Sequence, residues 1–358
     1  MSPRGTRGGA ARREAKEAPE LFVAGFPSRY GGADTELDHL IDLLRSRGVA
    51  VHLVPMFGAD ERMKRDVLAR GCFVHAYSDD VFRDRVVVSF CNGNFLEKLP
   101  AIHAGGRPRE VIWFNCMTYP FAAELRAHAD GLISRFGFIS RYQEALLRPA
   151  LERVRPVRAI RYRPYFNTRR VAWRYRDWNG EYRVGRISRD DAAKFAPDTW
   201  RIFERVLVPQ LLRKKTYILG YGPHAASRIG PAPRGLDWRT WAGNEIDAAT
   251  FFRTVDTMVH KTGGSRESYC RVLVEAYAHG VVPIVERDYA FPELVAHGET
   301  GFMADDSDEM SYYASWLSFH PREHRRMAED ARRHLEVALV DESACWAGWA
   351  ELFSELGP

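Results

Sequence analysis

An apolar run, a glycine-bearing loop, an amphipathic helix and a second apolar run follow one another near the start of this chain. ELFVAGF at 20–26 reads as a buried strand, PSRYGGAD as a loop, and TELDHLIDLLRSRG as a helix. Leu37, Leu40, Ile41, Leu43 and Leu44 fall on one helical face, Gly48 is placed to end the helix, and VAVHLVP supplies the next strand. Short apolar strands joined by helical crossovers can pair only in parallel, so the unit predicts a doubly wound α/β sheet. RVVVSFCNG (85–93), EVIWFN (110–115) and GLISRFGFIS (131–140) continue the alternation.

Residues 153–186 break the rhythm with eleven arginines, two prolines and little helical period, and read as a joint running into YRVGRIS. Beyond it the alternation restarts. RIFERVLVPQLL, DAATFFRTV and YCRVLVEAYAHG read as helices, and KTYILGYG, DTMVHKT and VVPIVE as strands. Helical segments at 309–337 and about 341–356 complete the chain. The expected division is a basic tail over 1–17, one α/β domain over 18–165, a second over 166–340, and a C-terminal helix over 341–358 that packs back toward the first domain.

The net charge of +5 is modest, and the first 17 residues, with five basic and two acidic groups, supply +3 of it. A nearly neutral remainder argues against an obligate nucleic-acid binder. No run of apolar residues is long enough to span a bilayer, and the N-terminus lacks the apolar core of a secretory signal. Five scattered cysteines without CxxC spacing fit reduced cytosolic thiols and no zinc site, so the expected location is cytoplasmic.

Three stretches carry chemistry. Gly31-Gly32 lies between a strand and a helix, where backbone can approach a ligand and free N–H groups attract anions; a tight turn needs glycine equally. Gly185-Arg186 ends a strand, with Lys194 eight residues on and Arg189 as a competitor. An Arg fork and a Lys point charge can neutralise a diphosphate, or sit on a solvated basic face. In ESYCRVLVEAYAHGVVPIV, Glu275 lies inside an apolar run and Glu267 eight positions earlier. A carboxylate there needs a partner, either a ligand offering two hydroxyls or a salt bridge.

Together these stretches resemble the retaining glycosyltransferases of family 4. The early Gly-Gly, the strand ending VGRISRDDAAK, the E-x7-E segment ESYCRVLVEAYAHGVVPIV and the later FPELVAHGETGF carry the resemblance, which covers most of 20–356. It implies a GT-B fold, α/β with two Rossmann-like doubly wound domains facing a cleft. It implies transfer of a sugar from a nucleotide-sugar donor to a hydroxyl with the anomeric configuration kept, without a bound metal or other cofactor. Glu267, Arg186 and Lys194 would serve catalysis, the last two on the diphosphate. Glu275 would hold the ribose hydroxyls, and Gly31, Gly32, Gly264, Ser265, Ser268, Tyr269 and Cys270 would line the donor side. The acceptor would be a sugar, glycan, lipid-linked or natural-product hydroxyl, with peripheral membrane contact compatible with it. Asn92 and Asn115 would face the acceptor.

The sequence departs from the family at Ser268 and Cys270, which replace two glycines, at the wider Arg–Lys spacing, and at Asn115-Cys116, where relatives place a histidine. DDSD at 305–308 reads as a solvated acidic turn rather than a metal motif. His260 reads as either a donor contact or a structural histidine, and Trp238 and Trp241 as either core or walls of a base pocket. The other reading of the whole chain is a non-catalytic nucleotide- or polyanion-binding protein using the arginines of 153–186. Between the two stands an enzyme whose anionic acceptor those arginines hold.

Overall fold

The computed structural model describes residues 18–28 and 31–357; the basic tail expected over 1–17 lies outside the described residues. The first sheet is parallel throughout and contains β1 (Glu20–Ala24), β2 (Ala50–Val54), β3 (Phe73–Val74), β4 (Val86–Phe90), β5 (Glu110–Phe114), β6 (Arg135–Gly137) and β7 (Ala159–Ile160). Its order is β3-β2-β1-β4-β5-β6-β7. The second sheet, also parallel, contains β8 (Glu181–Ile187), β9 (Arg213–Leu219), β10 (Trp238–Trp241), β11 (Thr257–His260), β12 (Val282–Glu286) and β13 (Phe302–Ala304), in the order β10-β9-β8-β11-β12-β13. Every residue of β4 and β5 is buried, because helices cover both faces of a parallel sheet.

The alternation therefore folds as its pattern predicts, with differences of extent. The helix expected over RIFERVLVPQLL is Thr199–Arg205 only. Pro209 would place its ring against the Arg205 carbonyl in a continued helix. Lys214 instead reaches up from β9 and donates to the carbonyls of Phe203, Glu204 and Val206 at 2.7–2.9 Å. The segment expected as one helix over 309–337 is two, Ser307–Phe319 and Pro321–His334, because Pro321 has no N–H to carry the ladder through.

The joint is a strap whose arginines are largely committed to the protein itself. Arg170 and Arg70 share Asp38 and Asp42 on the helix Gly32–Ser46. Arg169 pairs with Glu342, Arg176 donates to the carbonyls of Thr254 and Val255, and Arg183 pairs with Glu181. The helix Glu342–Leu356 returns to the first sheet. Trp349 stands against Phe114 and Tyr162, Glu355 pairs with Arg135 at 2.7 Å, and Gly348 lies so close to the Arg161 carbonyl that a Cβ would sit 1.6 Å from that oxygen.

Candidate donor site at the domain cleft

In an open parallel sheet the loops leave in opposite directions where the strand order reverses, and a crevice opens at the C-terminal ends of those strands. The first sheet reverses between β1 and β4, and the second between β8 and β11. Gly25 and Asn92 flank the first crevice: a Cβ on Gly25 would lie 3.6 Å from Asn92 Nδ2. Arg186, on β8, and His260, the last residue of β11, flank the second.

Arg186 is 1% exposed. One terminal nitrogen donates to the Lys194 carbonyl, and the guanidinium lies over the Phe195 ring at 4.9 Å. Nε and Nη1 are buried with no hydrogen-bond partner among the described residues. Burial pulls its pKa down to about 10, with Glu267 the first of the nearby acids to oppose the shift. A buried guanidinium left half unsatisfied is costly in isolation.

Glu267 supplies the neighbouring negative charge. Lys194 Nζ donates to its Oε1 at 2.8 Å, and His260 Nε2 lies 3.6 Å from the same oxygen. Burial pushes this carboxyl up, but His260 and Lys194 outweigh it and hold the pKa down to about 2. Burial and then Arg186 pull the His260 imidazole down to about 4, so it is neutral at pH 7. The loop that carries Glu267 is pinned by Gly263 N and Ser265 N, both donating to the Ala193 carbonyl, at 2.9 and 3.0 Å. A Cβ on Gly263 would fall 2.0 Å from the Phe195 carbonyl oxygen, so only glycine fits. Gly264 adopts φ +125°, and Ser265 Oγ is a further buried polar atom without a partner.

Ser268 joins the two domains. Its Oγ donates to the Cys116 carbonyl at 2.6 Å, and its own carbonyl accepts from Ser140 Oγ at 2.6 Å. The side chain that departs from the family pattern is thus tied to the ends of β5 and β6. Cys270 caps the helix Arg271–Ala278 and is buried, and burial pushes its thiol pKa up, so it acts as a small neutral side chain; Tyr269 lies between the two.

Glu275 lies one turn into that helix, partly buried; its carbonyl accepts from His279, but its carboxylate forms no hydrogen bond or ion pair among the described residues. The salt bridge considered for it is absent. Arg271, its neighbour one turn back, is taken by Glu36 and the Tyr165 carbonyl of the other domain. Burial therefore pushes the Glu275 carboxyl up to about 7 against the weaker pull of Arg271. A raised carboxyl pKa costs stability as pH rises from the unfolded value through the folded one. Glu275→Gln is expected to stabilise the unliganded protein by on the order of 1–2 kcal/mol at pH 8 and by almost nothing at pH 4, read from urea midpoints at the two pH values.

The helix Gly32–Ser46 starts at the same place. The Gly31 carbonyl accepts from Thr35 N and Oγ1, and the Thr35 carbonyl accepts from Arg271 Nη2 at 3.3 Å. Among the described residues, and leaving aside its chain neighbours and its own helix backbone, no atom lies within 4 Å of where a Cβ on Gly32 would be.

The two asparagines are engaged internally. Asn92 Oδ1 caps the helix Gly93–Gly106 by accepting from Phe95 N. Asn115 is 2% exposed, donates to the Tyr119 carbonyl and to Glu124, and accepts from Met117 N. Trp241 is buried against Phe251 and Tyr217, whereas Trp238 is exposed. In the DDSD run, Asp305 pairs with Arg287, Asp306 caps the helix Ser307–Phe319, and Asp308 pairs with Arg201 and Arg205. Sequence reasoning did not single out the cross-domain contacts. Glu36 meets Arg271, and Glu293 accepts from the backbone N–H groups of Arg141 and Tyr142 at 3.0 and 2.6 Å. Partners about 150 or more positions apart leave no local signal.

With this geometry described, likeness to known proteins can be placed on it. Residues 240–334, which hold β11, the Glu267 loop and the helix bearing Glu275, match the family model described as Glycosyl transferases group 1. Comparison with curated proteins gives no match. Over the whole chain the fold is similar to Anabaena HepE, solved in complex with UDP and glucose, with TM-score 0.66, 16% identity, and 95% of this chain and 100% of that chain covered. It is similar to WaaG, a glycosyltransferase involved in lipopolysaccharide biosynthesis, with TM-score 0.64, 11% identity and coverage of 95% and 100%. It is also similar to a variant of TarM from S. aureus, solved with fondaparinux, α-GlcNAc-glycerol and UDP, with TM-score 0.69, 8% identity and coverage of 94% and 99%. The chain has the GT-B fold, two parallel-sheet α/β domains, and its second domain carries the sequence pattern of group 1 glycosyl transferases.

Proposed function

We propose that the protein is a cytoplasmic, retaining glycosyltransferase that moves a sugar from a nucleoside diphosphate sugar to an acceptor hydroxyl without a bound metal. One observation carries the reading: a buried Arg186 with two unsatisfied nitrogens at the second sheet's crevice, beside Lys194 and Glu267. A diphosphate laid there would satisfy Arg186 through the nitrogens now without partners and would draw Lys194 onto its oxygens. Fixed positive charge in a dry cleft stabilises the departing diphosphate more than water would, because it needs no reorganisation as charge develops. Glu275, partly buried and unpaired, would accept from both ribose hydroxyls. Glu267 would face the transferred sugar. Retention follows the resemblance of ESYCRVLVEAYAHGVVPIV to family 4, in which the leaving phosphate receives the acceptor proton on the face it departs from. The acceptor would be a sugar, glycan, lipid-linked or natural-product hydroxyl, entering from the first domain.

The reading as a polyanion-binding protein has less support, since Arg163, Arg169, Arg170, Arg176 and Arg183 are engaged with carboxylates and carbonyls of this chain. A thermal-shift panel of UDP, GDP, TDP and ADP separates the two. One nucleotide should raise Tm by several degrees at saturation, since ligand at 100 times its Kd stabilises by about 2.7 kcal/mol. UDP is the first to try because HepE and the TarM variant were solved with it. No response to any of the four, together with steeply salt-dependent binding of heparin, would overturn the enzyme reading.

A further inference from the structure

We propose that His260 is the positioning residue of the donor-sugar subsite: its imidazole Nε2–H holds the Glu267 carboxylate toward the transferred sugar once the diphosphate has taken Lys194. This rests on the donor-site reading above and adds a residue to it.

The imidazole is 2% exposed, and its Nε2 faces the Glu267 carboxylate. Neither ring nitrogen has a hydrogen-bond partner among the described residues, and Nε2 stands 3.6 Å from Glu267 Oε1, just beyond hydrogen-bond length. Phe291 meets the ring edge-on at 5.6 Å and, with the end of β11, fixes its orientation. Lys194 satisfies Glu267 at 2.8 Å. A bound diphosphate competes for that ammonium. Around Glu267 stand Arg186 from β8 and the Cys270 thiol from its own loop, with Glu286 at the end of β12 acting on Arg186, and of the groups around it His260 is the one placed to donate without also serving the phosphates. A neutral imidazole has one N–H and one acceptor nitrogen, so presenting Nε2–H to Glu267 determines the tautomer. Its low basicity, caused by burial and by Arg186, keeps the ring from adding a second positive charge that would draw Glu267 away from the sugar.

The test compares His260→Leu, which removes the donor, with His260→Gln, whose amide can replace Nε2–H. The first readout needs no substrate: the 13Cδ resonance of Glu267, assigned through Glu267→Gln, is followed against pH with and without inorganic diphosphate. In the wild type with diphosphate the carboxyl should stay ionised to low pH. In His260→Leu its midpoint should rise by a pH unit or more, and His260→Gln should restore most of the difference. The second readout is hydrolysis of the donor selected by the thermal panel. There His260→Leu should lower kcat about tenfold, leave KM within twofold, and move the acid limb of kcat upward by the same amount. Equal Glu267 titrations in all three proteins would overturn the proposal, and so would equal losses in Leu and Gln. Should the titrations behave as expected while no nucleotide binds the wild type, the positioning geometry stands and the glycosyltransferase reading falls.

Discussion

Arg186→Met is expected to remove the nucleotide-induced rise in Tm and to lower sugar transfer by about 10²–10³-fold, while leaving the protein without nucleotide as stable as the wild type or more so. The two halves of this result have one cause. Arg186 is among the largest fully buried side chains, and two of its nitrogens meet nothing in the unliganded protein. Isolating a guanidinium in this way costs free energy that an apolar side chain of similar length avoids, on the order of 1–3 kcal/mol judging from buried charges replaced by hydrophobic residues. Methionine fits beside Phe195 and leaves the Lys194 carbonyl short of one donor, a smaller loss. An ordinary structural arginine behaves in the opposite way, since removing it strands its partners. Chemical denaturation of the unliganded variant and thermal shift with the active nucleotide measure both halves. A variant that is clearly less stable and still responds to nucleotide would show Arg186 to be a core residue.

The sheets were legible because parallel strands buried on both faces must be short and apolar, and VVVSF, EVIWF and VPIVE meet that demand. The edge strands β3 and β7 have two residues each, too few for any period to register. Pro209 and Pro321 were visible, yet the apolar residues around them favoured longer helices; the lost N–H and the ring clash prevailed. At the site, the family resemblance grouped Arg186, Lys194 and Glu267; in the structure Lys194 Nζ pairs with Glu267, and Arg186 donates to the Lys194 backbone carbonyl. Glu275 was readable as an oddity: taken alone a salt bridge was its better explanation, the family resemblance favoured a ligand, and in the structure Arg271 is committed to Glu36. The arginines of 153–186 misled most. A charge-rich segment suggests an external anion, whereas Asp38, Asp42 and Glu342, more than 120 positions away, answer Arg169 and Arg170. A polar residue at a strand end can cap a helix or tie a loop as readily as it can meet a substrate, and Asn92 and Asn115 each make such internal bonds.

Removing the cross-domain ion pair by Arg271→Ala is expected to destabilise the protein by about 3–5 kcal/mol and to split its unfolding into two transitions. Arg271 and Glu36 are 6% and 5% exposed, and their side chains meet across the domains. Arg271 also donates to the carbonyls of Tyr165 and Thr35, and Glu36 also accepts from Tyr162 Oη and Tyr165 N. Alanine would leave Glu36 with those two donors and no cation, buried in an interface that could relieve the charge only by opening or by taking up a proton. Opening separates Ser268 from Cys116 and Ser140, and Glu293 from the N-terminus of the helix Arg141–Glu152, so the domains lose the contacts that couple their unfolding. Differential scanning calorimetry should show one dominant transition in the wild type and two in the variant. The double replacement Arg271→Met with Glu36→Met should recover at least half of the loss, because it removes both charges together and keeps the volume filled. If Arg271→Ala still unfolds in one transition with a small drop in Tm, Ser268 and Glu293 suffice to hold the cleft. The donor site would then depend on those contacts and not on the ion pair beneath the Glu275 helix.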